Sequence, residues 1–197
     1  MMGFRITQVF FWLALALYFG GLATLGPLVA YELFTTIPET HVQVPSMSPK
    51  LNQPRELAGD VFGNILQKFN MVELICLPIL FATVAIQTAV YLNWLNPWSW
   101  LRLILVGVLL VVALYDIFYT GPQVRRQHTL WVQNVDRDPA MAHSHELKFD
   151  KFHSESERNG VIKLIVLLAL LAVTAAGVQG PQRGIGKTVS APPKSGS

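Results

Sequence analysis

One cysteine, Cys76, is the whole thiol complement of the chain. It cannot form an intrachain disulfide, and the paired cysteines of a metal knuckle or a CxxCH haem attachment are missing. Lying within an apolar run, Cys76 reads as a small packed hydrophobe. Charge is also scarce, at 14% of residues against about 25% in an ordinary globular chain. No histidine falls inside a long apolar run, which argues against a b-type haem held between helices. There is no GxSxG, Walker loop or GxGxxG in suitable context. The stretch GPQRGIGK lacks the strand and spacing of a phosphate loop. No nucleophile and base sit at diagnostic spacing, so the sequence implies neither a catalytic residue nor a cofactor.

What is present is apolar. Hydrophobic residues make up 52% of the 197, and the mean hydropathy is +0.41. That excludes a disordered chain, and with one cysteine a disulfide scaffold. A net charge of +3 could suggest nucleic acid as a partner. However, the basic residues are scattered or sit at the ends of apolar runs, where Lys and Arg settle at a membrane surface. The chain reads as an integral, multi-pass membrane protein in contact with a lipid bilayer.

Four runs are long enough to cross one. The first, Ile6 to Tyr31, has about 26 residues without a charge, against the ~20 a spanning helix needs. Its start resembles a signal peptide but exceeds a typical signal core, so it is expected as a retained span. The other spans are expected at about 69–92, 98–119 and 160–178. Gly121-Pro122 reads as the stop of the third. Lys163 reads as snorkelling out of the fourth. The expected fold is all-α: a four-helix membrane bundle over residues 1–179, then a flexible polar tail over 180–197. Both termini lie on one side. The opposite side carries two long connections, about 32–67 and 121–162. These hold all five histidines and every acidic residue except Glu73 and Asp116. Trp94, Trp98 and Trp100 flank the tight turn between the middle spans, as an interfacial aromatic belt would. Arg5 argues for termini inside; Arg125, Arg126, Lys148, Lys151 and Arg158 argue for the reverse, and the orientation stays open.

Helices in lipid pack through small residues at helical spacing. Ala16, Gly20 and Thr24 form such a stripe on the first span. Ala82, Ala85 and Ala89 do so on the second, and Ala169, Ala172 and Ala176 on the fourth. The plain expectation is that they close a tight bundle. The sharper one is that a stripe meets a partner protein. Pro78 removes a backbone donor inside the second span and frees the Leu74 carbonyl.

Glu73 stands about one turn inside the second span, where a carboxylate is costly and often lines an ion or proton path. The plainer expectation puts it at the headgroup level, paired with Lys68 or Arg55. Asp116 mirrors it near the end of the third span, and the two together could bind a cation or share a proton. The segment after Asp138-Pro139 reads as an amphipathic helix. At 100° per residue, Glu146, Asp150, His153 and Glu157 share one narrow face. These are suitable ligands for a divalent metal, although such a stripe is more common on a solvated face. The neighbouring face, with His145, Phe149, Phe152 and Ser156, is expected on the membrane surface or the bundle end. His143 and His145 lie two apart and point to different sides of a helix. His41 and His128 read as exposed loop residues.

The segments ALALYFGGLATLGPLVAYELFTTIPE and RELAGDVFGNILQKFNMVEL, the proline after the third span and KFHSES before the fourth carry a family resemblance. The chain resembles the four-span transmembrane protein 205-like group, domain of unknown function 4149, over about residues 8–178. Gly20, Gly21, Pro38, Phe69, Pro122, His153 and Ser156 match that family's pattern. The family shows Asn seven residues after the histidine; here Gly160 holds that place and Asn159 precedes it. HVQVPSMSPKLNQP is similar to an insertion. The Gly-Gly span also resembles copper resistance protein D. The family resemblance implies no agreed activity, and the second likeness implies copper handling as an alternative. Together these readings point to a non-enzymatic accessory or scaffold subunit docking to other membrane protein subunits, or else to metal or ion handling at the acidic rim.

Overall fold

The computed structural model describes residues 2–39, 48–49, 51, 53–91 and 97–177. Among these, every regular element is a helix and there is no strand. Four long rods run through the molecule: α1 Met2–Ile37, α2 Gln53–Val90, α3 Pro97–Asn134 and α4 Pro139–Ala176. Each is long and apolar enough to cross a membrane, so the chain is an all-α, multi-pass membrane protein. The tail expected over 180–197, the Trp94 side of the tight turn and His41 lie outside the described residues.

At ~1.5 Å per residue a rod of 38 residues is ~57 Å long, almost twice the ~30 Å hydrocarbon core. The spans therefore continue beyond the membrane as helix, which corrects two expectations. Gly121-Pro122 does not stop the helix that carries the third span, and the amphipathic segment is not a separate element. Instead, α3 widens into a π turn at Asp116–Thr120, in which the Gly121 amide donates to the Asp116 carbonyl. That wide turn admits Pro122, whose missing N–H costs nothing at the start of the next α-helical stretch. A Cβ at Gly121 would meet the Asp116 oxygen at 3.1 Å, so the bulge also favours glycine there. Pro139 opens α4, as Asp138-Pro139 foretells. The Asp138 carboxylate accepts from the amides of Ala140 and Met141 at 3.1 and 3.0 Å, a side-chain N-cap. From there the helix is continuous to Gly177.

Inside the membrane the core forms at helical spacing. Phe11, Leu15 and Tyr18 of α1 meet Leu77, Leu80 and Val84 of α2, Val106, Leu109 and Ala113 of α3, and Val166, Leu167 and Leu170 of α4. Large apolar side chains on the opposite faces, such as Leu13, Ile75, Val111 and Ile165, are exposed, as a lipid-facing surface requires. The small-residue stripes are not where the bundle closes. Ala16, Thr24, Ala82, Ala89, Ala172 and Ala176 are exposed, while Gly20, Ala85 and Ala169 are only partly covered. Nothing lies within 4 Å of a Cβ built on Gly20. The expectation that these stripes pack the bundle is thus overturned: larger side chains fill the interior, and the stripes face outward. The close approach is one residue on, at Gly21, where a Cβ would strike the Phe69 ring. Pro78 is likewise exposed on a continuous α2.

Beyond the membrane, α2, α3 and α4 continue as a crown. His128 of α3 meets Glu56 of α2 at 2.7 Å and lies 4.0 Å from Asp60. Phe149 of α4 stacks on Trp131 and on His153. His145 meets Gln127 at 2.8 Å. The aromatic face of the amphipathic segment therefore packs on the bundle end, and His128 is no lone loop residue.

Candidate functional site

The acidic residues inside the spans do meet. Lys163 Nζ of α4 donates to Glu73 Oε1 of α2 at 3.0 Å and to Asp116 Oδ2 of α3 at 2.9 Å. The Lys163 and Glu73 side chains are 4% and 0% exposed, whereas Asp116 keeps 13%. This corrects two plain expectations. Glu73 is not at the headgroup level with Lys68 or Arg55, and Lys163 does not snorkel. A long side chain snorkels when water is its best partner; two carboxylates turned inward offer a better one.

Local structure places each group. Glu73 lies one turn past Phe69, on the face that carries Cys76, Leu77 and Leu80 into the core. Asp116 opens the π turn of α3, and the wider pitch alters the direction of its side chain relative to a regular helix. Its other oxygen, Oδ1, accepts from the Ser156 hydroxyl of α4 at 3.0 Å. Tyr18 of α1 completes the surroundings. Its hydroxyl is buried beside Glu73, close enough to interact with the carboxylate, although neither that hydroxyl nor Glu73 Oε2 reaches full hydrogen-bond geometry with any group. Just outward, the exposed Tyr115 hydroxyl donates to Glu155 at 2.8 Å. Titratable groups thus lead from the crown through Asp116 and Lys163 to Glu73 and Tyr18.

Charge counting shows what this cluster can do. Two carboxylates and one ammonium group, all ionised, leave one negative charge uncompensated, in a medium where an unpaired charge costs on the order of several kcal/mol. A proton or a monovalent cation balances it, and Glu73 Oε2 and the Tyr18 hydroxyl oxygen lie beside the cluster to receive either.

The metal stripe on α4 stays dispersed. His153 pairs with Glu157 at 3.2 Å and His143 with Glu146 at 3.2 Å, while Asp150 is exposed. Among the described residues no three His, Cys, Asp or Glu side chains are gathered so as to hold a metal ion. A common face aligns Glu146, Asp150, His153 and Glu157 but does not make their side chains converge. Sequence reasoning missed Lys163 as a site residue. The available signal was its position about one turn inside the fourth span, the same depth as Glu73 and Asp116.

Residues 13–129 match a family model described as Domain of unknown function (DUF4149). No curated protein and no solved structure matches the chain. The matched residues include Gly20, Gly21, Phe69, Glu73, Asp116 and Pro122, whereas Ser156 and Lys163 lie beyond them.

Proposed function

The chain belongs to the domain of unknown function 4149 family, a membership that carries no activity with it, and from that premise we propose a non-enzymatic membrane protein that handles a proton or monovalent cation at the Lys163 cluster. One observation carries this reading: a single ammonium group is shared by two carboxylates inside the bundle, at 3.0 and 2.9 Å. The surplus negative charge suits a titratable or exchangeable positive partner, and Asp116, partly exposed and bonded to Ser156, links the cluster to the crown. Reconstituted into liposomes with a pH-sensitive dye inside, the protein should pass protons or exchange them for Na⁺ or K⁺ across an imposed gradient. Asp116→Asn should abolish that signal. Liposomes that behave alike with wild type, Asp116→Asn and no protein would end this reading.

A second reading is an accessory or scaffold subunit, favoured by the outward Ala16, Gly20 and Thr24 face. In lipid, small residues four apart let a foreign helix approach closely, and a Cβ built on Gly20 meets nothing in its own bundle. Solubilisation in a mild detergent should then recover other membrane subunits in stoichiometric amounts, and Gly20→Leu should release them. A homogeneous single-chain particle would count against it.

A further inference from the structure

At the far end of the bundle from Lys163, Arg102 of α3 is 1% exposed. Its Nη2 donates to Gln87 Oε1 of α2 at 2.8 Å. The Gln87 amide in turn donates to Gln8 Oε1 of α1 at 2.9 Å. The guanidinium also sits over the Phe11 ring, 4.9 Å from its centre. Arg102 Nε and Nη1 are buried without a hydrogen-bond partner, and so is the Ser99 hydroxyl. Ser99 lies three residues earlier, on the same helix face.

A buried guanidinium is costly without an anion, and among the described residues no acidic side chain is placed beside Arg102 to supply one. Residues 1–31, 74–115 and 158–197 contain no Asp or Glu. These stretches make up the half of every rod that surrounds Arg102. Along α3 the nearest carboxylate, Asp116, is ~21 Å away at 1.5 Å per residue. An anion from outside the chain would supply the missing charge. An arginine in a helix points toward the N-terminus, here the first turn of α3, where helix amides and the helix dipole also favour negative charge. That turn carries Trp98 and Trp100, both 44% exposed, as residues at headgroup depth are. A fork of N–H donors suits the planar spacing of phosphate oxygens.

We propose that Arg102 and Ser99 form a phosphate-binding site at this membrane face, filled by a phospholipid headgroup or by inorganic phosphate. The site is independent of the Lys163 cluster. The test is made on detergent-purified full-length protein. Wild type should retain about one equivalent of phosphorus per chain through delipidating washes. Arg102→Gln should lose it, with at least tenfold weaker rebinding, Arg102→Lys should retain part of it, and Ser99→Ala should weaken rebinding severalfold, as expected for charge-assisted bonds. The source is read from the delipidated wild type. Stabilisation by added phosphatidylglycerol and not by sodium phosphate identifies a lipid; stabilisation by sodium phosphate identifies the free ion. If Arg102→Gln does not fold, wild type and Ser99→Ala still decide. Wild type without retained phosphorus and without a thermal shift from either probe overturns the proposal, as does equal binding by wild type and the variants.

Discussion

Removing the ammonium group from the Lys163 cluster tests the charge count most directly. Lys163→Met leaves Glu73 and Asp116 facing each other with no cation between them. Breaking a buried ion pair by deleting one partner costs ~3–5 kcal/mol, because the surviving charge stays buried. For a domain of this size each kcal/mol shifts Tm by ~2–4 °C, so the midpoint should fall by roughly 6–20 °C. Glu73→Gln acts on the other side of the balance. It leaves Lys163 and Asp116 paired one to one at 2.9 Å and removes the surplus negative charge. Its cost should stay within about 1 kcal/mol, since neutral replacement of buried charges is often harmless. Combining Lys163→Met with Glu73→Gln and Asp116→Asn removes every charge from the cluster and should recover most of the loss. Thermal unfolding in mild detergent at pH 7, followed by helical circular dichroism, reads all three proteins. A Glu73→Gln protein less stable than Lys163→Met would refute the reasoning, because it would mean that the cluster is short of negative charge and not of positive.

Gly21→Ala should destabilise by ~1–3 kcal/mol through overpacking against Phe69, while Gly20→Ala should change stability by less than about 0.5 kcal/mol; the same melting experiment compares them. In the crown, beyond the apolar spans, the hydrogen bond that the His128 ring donates to the Glu56 carboxylate raises the His128 pKa above its usual value, against the opposing effect of burial. A raised folded-state pKa means that the pair's contribution is complete below the unfolded value of about 6.5 and fades as pH climbs through the folded one. Amide exchange at the α2 and α3 ends of the crown should therefore quicken with pH beyond its intrinsic rise, and His128→Gln should remove that excess. His153→Ala, which loses the stacking on Phe149, should melt a little below wild type by the same margin with or without added Zn²⁺ or Cu²⁺; a metal-dependent shift lost in the variant would restore the α4 stripe as a site.

The four crossings were legible because an apolar run of spanning length has few other fates in water. Glu73 and Asp116 were legible for the complementary reason, as carboxylates within such runs. Their partner was not. Whether a lysine near a span end reaches outward or inward depends on what the neighbouring helices offer, and Asp116 is aimed by a π turn that periodicity cannot show. Gly121-Pro122 misled for the same reason, since a proline that stops a regular helix is absorbed by a wide turn. The small-residue stripes misled because spacing states that a face is flat and does not state what it touches. Arg102 shows the limit from the other direction. Its position near a span end reads as an interfacial anchor, and only the packing of Phe11, Gln8 and Gln87 around it makes it an interior cation.

The unbroken course of α4 has a mechanical corollary. His153, in the aromatic crown, and Lys163, between the two carboxylates, are ten residues apart on one stiff shaft, ~15 Å at 1.5 Å per residue. No break in the helix separates them, so a tilt or twist imposed at the crown by a ligand, a pH change or a neighbouring molecule would be carried along the same rod toward the ammonium group and its two carboxylate partners.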